Sequence, residues 1–174
     1  MGHIWDSIRR ASAPRDDADR LSAFKHAHGK DASRHLAEHF GVSRRQAQRW
    51  IKEGRITKAG ERAEELDALV TDEMAAADAL ANASGIDFGH VDVTYGKTGK
   101  SEGVRKVGFF SLREPVTAVV RQAMQSMEAG DHETGEDLMA QAALMAYCMN
   151  VGEEPHYLSK ALYVSNFRTG FHIV

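Results

Sequence analysis

The stretch Ser33-Arg34-His35-Leu36-Ala37-Glu38-His39-Phe40-Gly41-Val42-Ser43-Arg44-Arg45-Gln46-Ala47-Gln48-Arg49-Trp50 decides how this chain is read. Leu36, Ala37 and Phe40 fall on one face of a helix, and Ala37 is small enough to admit a second helix at close range. Gly41 stands where the chain must turn with a positive φ, a conformation that costs glycine little. Val42 plugs the corner. Ser43 is placed to N-cap the next helix, and Gln46 three residues on completes a capping box. Ala47, Trp50 and Ile51 then face inward, which turns Arg44, Arg45, Gln46, Gln48, Arg49 and Lys52 outward. Residues 33–52 therefore predict a helix-turn-helix, the motif that lays its second helix in the major groove of double-stranded DNA. The candidate DNA-binding residues are Ser43, Arg44, Arg45, Gln46, Gln48, Arg49, Lys52 and Arg55. Arginine grips guanine or phosphate, and glutamine pairs with adenine.

Charge is distributed to match. The 174-residue chain has a net charge of −3, but residues 1–62 hold 14 of its 22 Lys+Arg and 8 of its 25 Asp+Glu, a net of +6, and the remainder carries −9. A basic first part beside an acidic second part is the footprint of a localised DNA-facing surface. The length suits one domain or two small ones with enough apolar content for a core. No apolar run approaches membrane-spanning length and the N-terminus lacks a signal-peptide apolar region, so a cytoplasmic, nucleoid-associated protein is expected. The lone cysteine, Cys148, sits in an apolar stretch, excludes an internal disulfide and fits a reducing compartment.

Outward from the motif, Ile4, Trp5 and Ile8 share one helical face, and Pro14 separates them from a helix that Asp16 or Asp17 caps and that carries Leu21 and Phe24. Gly29 ends that helix and Asp31 opens the next. Beyond Gly54, Thr57 is expected to cap one long helix running to about Asn82, with Leu66, Leu69, Val70 and Met74 at helical spacing and an alanine-rich later half suited to helix pairing. At Gly85 the texture changes. Residues 90–95 and 104–112 alternate like strands around a Gly-Lys-rich loop, Pro115 starts a helix, and a second helix spans about Thr134 to Asn150. Residues 161–164 and 171–174 read as one bent strand or two short ones. The expected fold class is α+β: a helical DNA-binding domain over residues 1–83, then a β-β-α-α-β domain over 84–174 that serves dimerisation.

Other constellations yield less. Gly96-Lys97-Thr98-Gly99-Lys100-Ser101 resembles the end of a phosphate-binding loop, but Thr94 stands where the opening glycine belongs and a strand-like run follows. A basic hairpin loop touching phosphate fits better. His26, His28, His35 and His39 cluster without a cysteine, and the helix-turn-helix packs without them, so no metal site is expected. The Met- and Ala-rich helices over 116–149 read as core, with a partner surface as the alternative. Tyr163, Phe167 and Phe171 read as sheet packing or as an edge that pairs with a second subunit. No triad order or paired-carboxylate motif stands out, so neither an enzyme nor a cofactor is expected.

The order of parts resembles the terminal proteins that cap telomeres of linear Streptomyces chromosomes and plasmids. The match lies in Phe40-Gly41-Val42-Ser43-Arg44-Arg45-Gln46-Ala47-Gln48-Arg49-Trp50-Ile51-Lys52, with echoes at Val104-Arg105-Lys106-Val107, Pro115 and Met127-Glu128-Ala129-Gly130. The resemblance implies a loop hydroxyl that primes DNA synthesis and becomes attached to the 5′ end. By position it falls on Thr98 or Ser101. It also implies a telomere-associated protein and a DNA polymerase as partners. That family is basic, whereas the second half of this chain is acidic. A homodimeric transcriptional regulator, or a plasmid partition protein that binds a centromere-like site, therefore stays open beside it.

Overall fold

The structure, a computed structural model, describes residues 3–57, 60–95, 101–111, 115–150, 162–169 and 171–174. They form a helix-rich α+β fold with small antiparallel sheets, divided into two compact units: Ser12–Asn82, and Met1–Ala11 together with Ala83–Val174.

In the Ser12–Asn82 unit, Asp16 caps α2 (Asp17–His28) by accepting the Asp19 N–H at 3.0 Å. A 3-10 turn, Gly29–Asp31, leads into α3 (Ala32–Phe40). Asp31 occupies the cap position of α3 but makes no side-chain cap bond, and its carboxylate lies 3.3 Å from the Arg34 guanidinium instead. The helices α4 (Arg44–Glu53), α5 (Glu61–Leu69) and α6 (Asp72–Asn82) follow. Leu21, Phe24, Leu36, Phe40, Ala47, Trp50, Ile56 and Leu66 close one core between α2, α3, α4 and α5. The alanines of α6 pair it with α2, burying Ala75, Ala76, Ala77 and Leu80.

The long helix expected from Thr57 to Asn82 is instead two. Val70 is extended (φ −97°, ψ 109°), and Thr71 Oγ1 accepts the Met74 N–H at 3.3 Å, so a new helix starts with Asp72 and Glu73 in its first turn. The Thr-Asp-Glu start signal lay inside an unbroken apolar period, and the period hid it. The cap position of α5 is held by Gly60 and not by Thr57.

The other unit takes in α1 (His3–Ser12, less its final residue), contrary to the expected boundary of residues 1–83. Ile4 and Ile8 are buried, the Trp5 backbone N–H donates to Glu136 Oε1 at 2.9 Å, and the Trp5 ring lies 4.6 Å from that of His132. The apolar face of this helix was readable, but nothing local says which unit covers it.

The strands β1 (Gly85–Asp87), β2 (His90–Tyr95), β3 (Ser101–Lys106), β4 (Phe109–Ser111), β5 (Leu162–Thr169) and β6 (His172–Ile173) form two three-stranded antiparallel sheets, ordered β4-β1-β6 and β3-β2-β5. The expected β-β-α-α-β order is thus too simple. The run 104–112 breaks at Val107–Gly108, where Val107 N–H reaches Gly89 O at 2.9 Å and Phe88 N–H reaches Gly108 O at 3.0 Å. That crossing hands the chain from one sheet to the other. Helices α7 (Val116–Glu128) and α8 (His132–Asn150) pack together, Val116, Val120, Ala123, Met127, Met139 and Ala143 are buried, and α8 packs on β5. Phe167 and Phe171 stack at 4.9 Å beneath Phe88, and Cys148 is buried. Among the described residues, no helix is long and apolar enough to cross a membrane.

Candidate nucleic-acid interface

The corner between α3 and α4 is built as the residue types dictate. Gly41 takes the left-handed conformation (φ 61°, ψ 34°), and both its N–H and that of Val42 return to Ala37 O. Leu36, Ala37 and Phe40 are buried, and Val42 packs against the core. Ser43 is extended and its Oγ accepts the Gln46 N–H at 3.2 Å, giving the expected N-cap. Trp50 is fully buried, with Phe40 edge-on to it at 5.7 Å.

The second half of the expected capping box is not made. Gln46 sends its amide Nε2 to Thr57 Oγ1 at 3.2 Å, and the same hydroxyl accepts the Trp50 indole N–H at 2.9 Å. The competing partner wins because Trp50 is a buried donor that needs an acceptor, which draws Thr57 against α4. Arg62 completes this arrangement, with its guanidinium over the Trp50 ring at 5.6 Å and Nη1 donating to Thr57 O at 3.5 Å. Gln46 thus has one arm engaged, and an adenine contact needs both.

The outward face of α4 borders a shallow concavity of about 610 Å³, from Ser43 at one end to Glu53 at the other, with Arg45, Gln46, Gln48, Arg49 and Lys52 along it. Arg44 and Arg55 do not line it. Arg44 Nε donates to Ser33 Oγ at 3.2 Å, which ties the start of α4 to α3. Arg55 follows the Gly54 cap, its Nε 3.9 Å from Glu53 Oε2. Glu53 was absent from the sequence-predicted set, as were Thr57 and Arg62. Glu53 reads as an ordinary solvated acid, and the other two act across a turn that no helical period spans.

Electrostatics set α3 and α4 apart from the other helices of this unit. Helices α2, α5 and α6 carry acids in their first turns, which suits the positive end of the helix dipole. The first turn of α4 carries no acid, and Arg44 and Arg45 stand there instead. That choice costs helix stability a few tenths of a kcal/mol and leaves the positive end suited to an external anion.

The clustered histidines His26, His28, His35 and His39 lie on α2 and α3. His28 is in ring contact with Phe24 at 4.3 Å and with His35 at 5.0 Å, and burial, followed by the His35 charge, lowers its pKa. Among the described residues, no group of three His, Cys, Asp or Glu side chains could hold a metal. Thr98 lies outside the described residues, as does all of 96–100, and Ser101 is the first residue of β3, paired with Thr94. No protein-family model, no curated protein and no solved structure matches this chain.

Proposed function

We propose that this chain binds double-stranded DNA and reads its sequence with α4. One observation carries the reading: a serine-capped helix, wedged on a buried tryptophan, presents Arg45, Gln48, Arg49 and Lys52 along one exposed concavity with no acid in its first turn. Arg45 and Arg49 supply forks for guanine or phosphate, and Gln48 pairs with adenine. Lys52, Arg44 and Arg55 hold phosphates, and Gln46 contributes one arm. One such helix covers a half-site, so the reading includes self-association through residues 84–174, setting two copies about one helical turn apart. The setting is replicon maintenance or transcription regulation. Enrichment of bound duplexes from a randomised pool tests this: two half-sites spaced by one turn or a multiple are expected. Retention no better than that of competitor DNA at moderate salt overturns it. Mapping bound sites across a genome then separates replicon ends, centromere-like repeats and promoters.

A second reading, covalent priming at a DNA end, is favoured by the antiparallel pairing of β2 with β3, because their connection carries Thr98 between Lys97 and Lys100, next to Ser101. A polymerase with its metal ions would activate such a hydroxyl, itself a weak nucleophile. Incubation with labelled dCTP and the host polymerase machinery should label the protein. The Thr98→Ala, Ser101→Ala double variant should lose the label and keep DNA binding. Labelling that persists in the double variant moves the primer elsewhere.

A further inference from the structure

Among the described residues that line the α4 concavity, the acid is Glu53. Its Oε1 lies 3.9 Å from Arg49 Nε and its Oε2 lies 3.9 Å from Arg55 Nε, so one carboxylate faces two guanidiniums. Helix stability does not account for it. Glu53 is the last residue of α4, where a negative charge opposes the helix dipole. The pairs are open to solvent, with Glu53 at 42% exposure, and ion pairs of this kind add little to folding. A carboxylate on a phosphate-facing surface is also repelled by the partner.

We propose that Glu53 is a specificity-determining residue of this face, an internal competitor with DNA phosphate for Arg49 and Arg55. The proposal rests on the DNA-binding reading above. On an arbitrary duplex Glu53 competes with phosphate for the charge of the two arginines, and where they turn to phosphate it faces the backbone uncompensated. On the preferred site, base-edge contacts from the first turns of α4 offset that loss. Sequence-independent affinity is mostly phosphate attraction, so Glu53 weakens it more than it weakens specific affinity and widens the ratio between them.

Glu53→Gln in the 174-residue chain tests this by fluorescence anisotropy against a random-sequence duplex and the selected site, over a range of salt. The variant should bind the random duplex about threefold to fivefold tighter. The plot of log affinity against log salt should steepen by roughly 0.9 for each phosphate newly neutralised. The selected site should gain less. Glu38→Gln, an equal charge change on the exposed side of α3, should have a much smaller effect. In an Arg49→Ala, Arg55→Ala background, Glu53→Gln should gain less, keeping only the relief of direct carboxylate–phosphate repulsion. Random-duplex affinity equal to wild type, or matched by Glu38→Gln, overturns the role of Glu53 and leaves DNA binding standing. Failure of both wild type and Glu53→Gln to bind any duplex overturns both.

Discussion

The indole N–H of Trp50 donates to Thr57 Oγ1 at 2.9 Å, so a residue beyond the end of α4 holds the tryptophan that seats this helix. The same hydroxyl takes the Gln46 amide at 3.2 Å, one turn nearer the start of α4. One side chain thereby restrains both the buried and the outward side of the candidate recognition helix.

Thr57→Val keeps the shape and removes the acceptor. With the Trp50 N–H left unsatisfied, unfolding free energy should fall by about 1–3 kcal/mol. Thr57→Ser, which keeps the hydroxyl, should recover most of it. Urea denaturation measures both, and a Thr57→Val variant as stable as wild type would show that the hydroxyl contributes nothing net.

Arg45→Ala with Arg49→Ala should weaken duplex binding at least about tenfold, since each good base contact is worth roughly 1–3 kcal/mol. Both side chains are exposed, so the melting temperature should hardly move. Losing Arg45 from the positive end of α4 should even stabilise slightly. A gel shift and a thermal melt on one preparation separate the effects. Unchanged binding at moderate salt would remove α4 as the reader.

Gly41 and Gly54 both have positive φ, 61° and 66°, but their surroundings differ. A Cβ at Gly41 meets nothing within 4 Å, so Gly41→Ala should cost only the left-handed backbone term, about 1 kcal/mol. A Cβ at Gly54 comes to 3.0 Å from Ala18 Cβ, and Gly54→Ala should cost about 1 kcal/mol more. Equal denaturation midpoints for the two variants would contradict this ranking.

Burial, followed by the charge of His35, lowers the His28 pKa in the folded protein. The unfolded chain then binds more protons as pH falls below the usual histidine value of about 6.5, and stability rises with pH across that window. Stability should therefore decline from pH 7.5 to pH 5.5, and His28→Gln should show a smaller decline. Urea midpoints at the two pH values report it, and identical slopes would assign the pH dependence to other groups.

The corner from Leu36 to Trp50 was legible because every instruction in it is local. A small residue, a left-handed glycine, a serine cap and an apolar period each act within a few residues of themselves. That a strand pair and then two helices follow was readable for the same reason, although the run 104–112 proved to be the end of β3 and a separate β4. Tertiary structure alone decided the rest. Whether Gln46 closes a capping box or bonds Thr57 depends on where the turn after α4 returns to Trp50. Whether Ile4 and Ile8 cover the first unit or the second depends on contacts such as Trp5 with Glu136, 131 positions apart. Local propensity specifies a helix and the face it must bury. The partner that buries it is chosen by packing between residues far apart in the chain, and no periodicity records that choice.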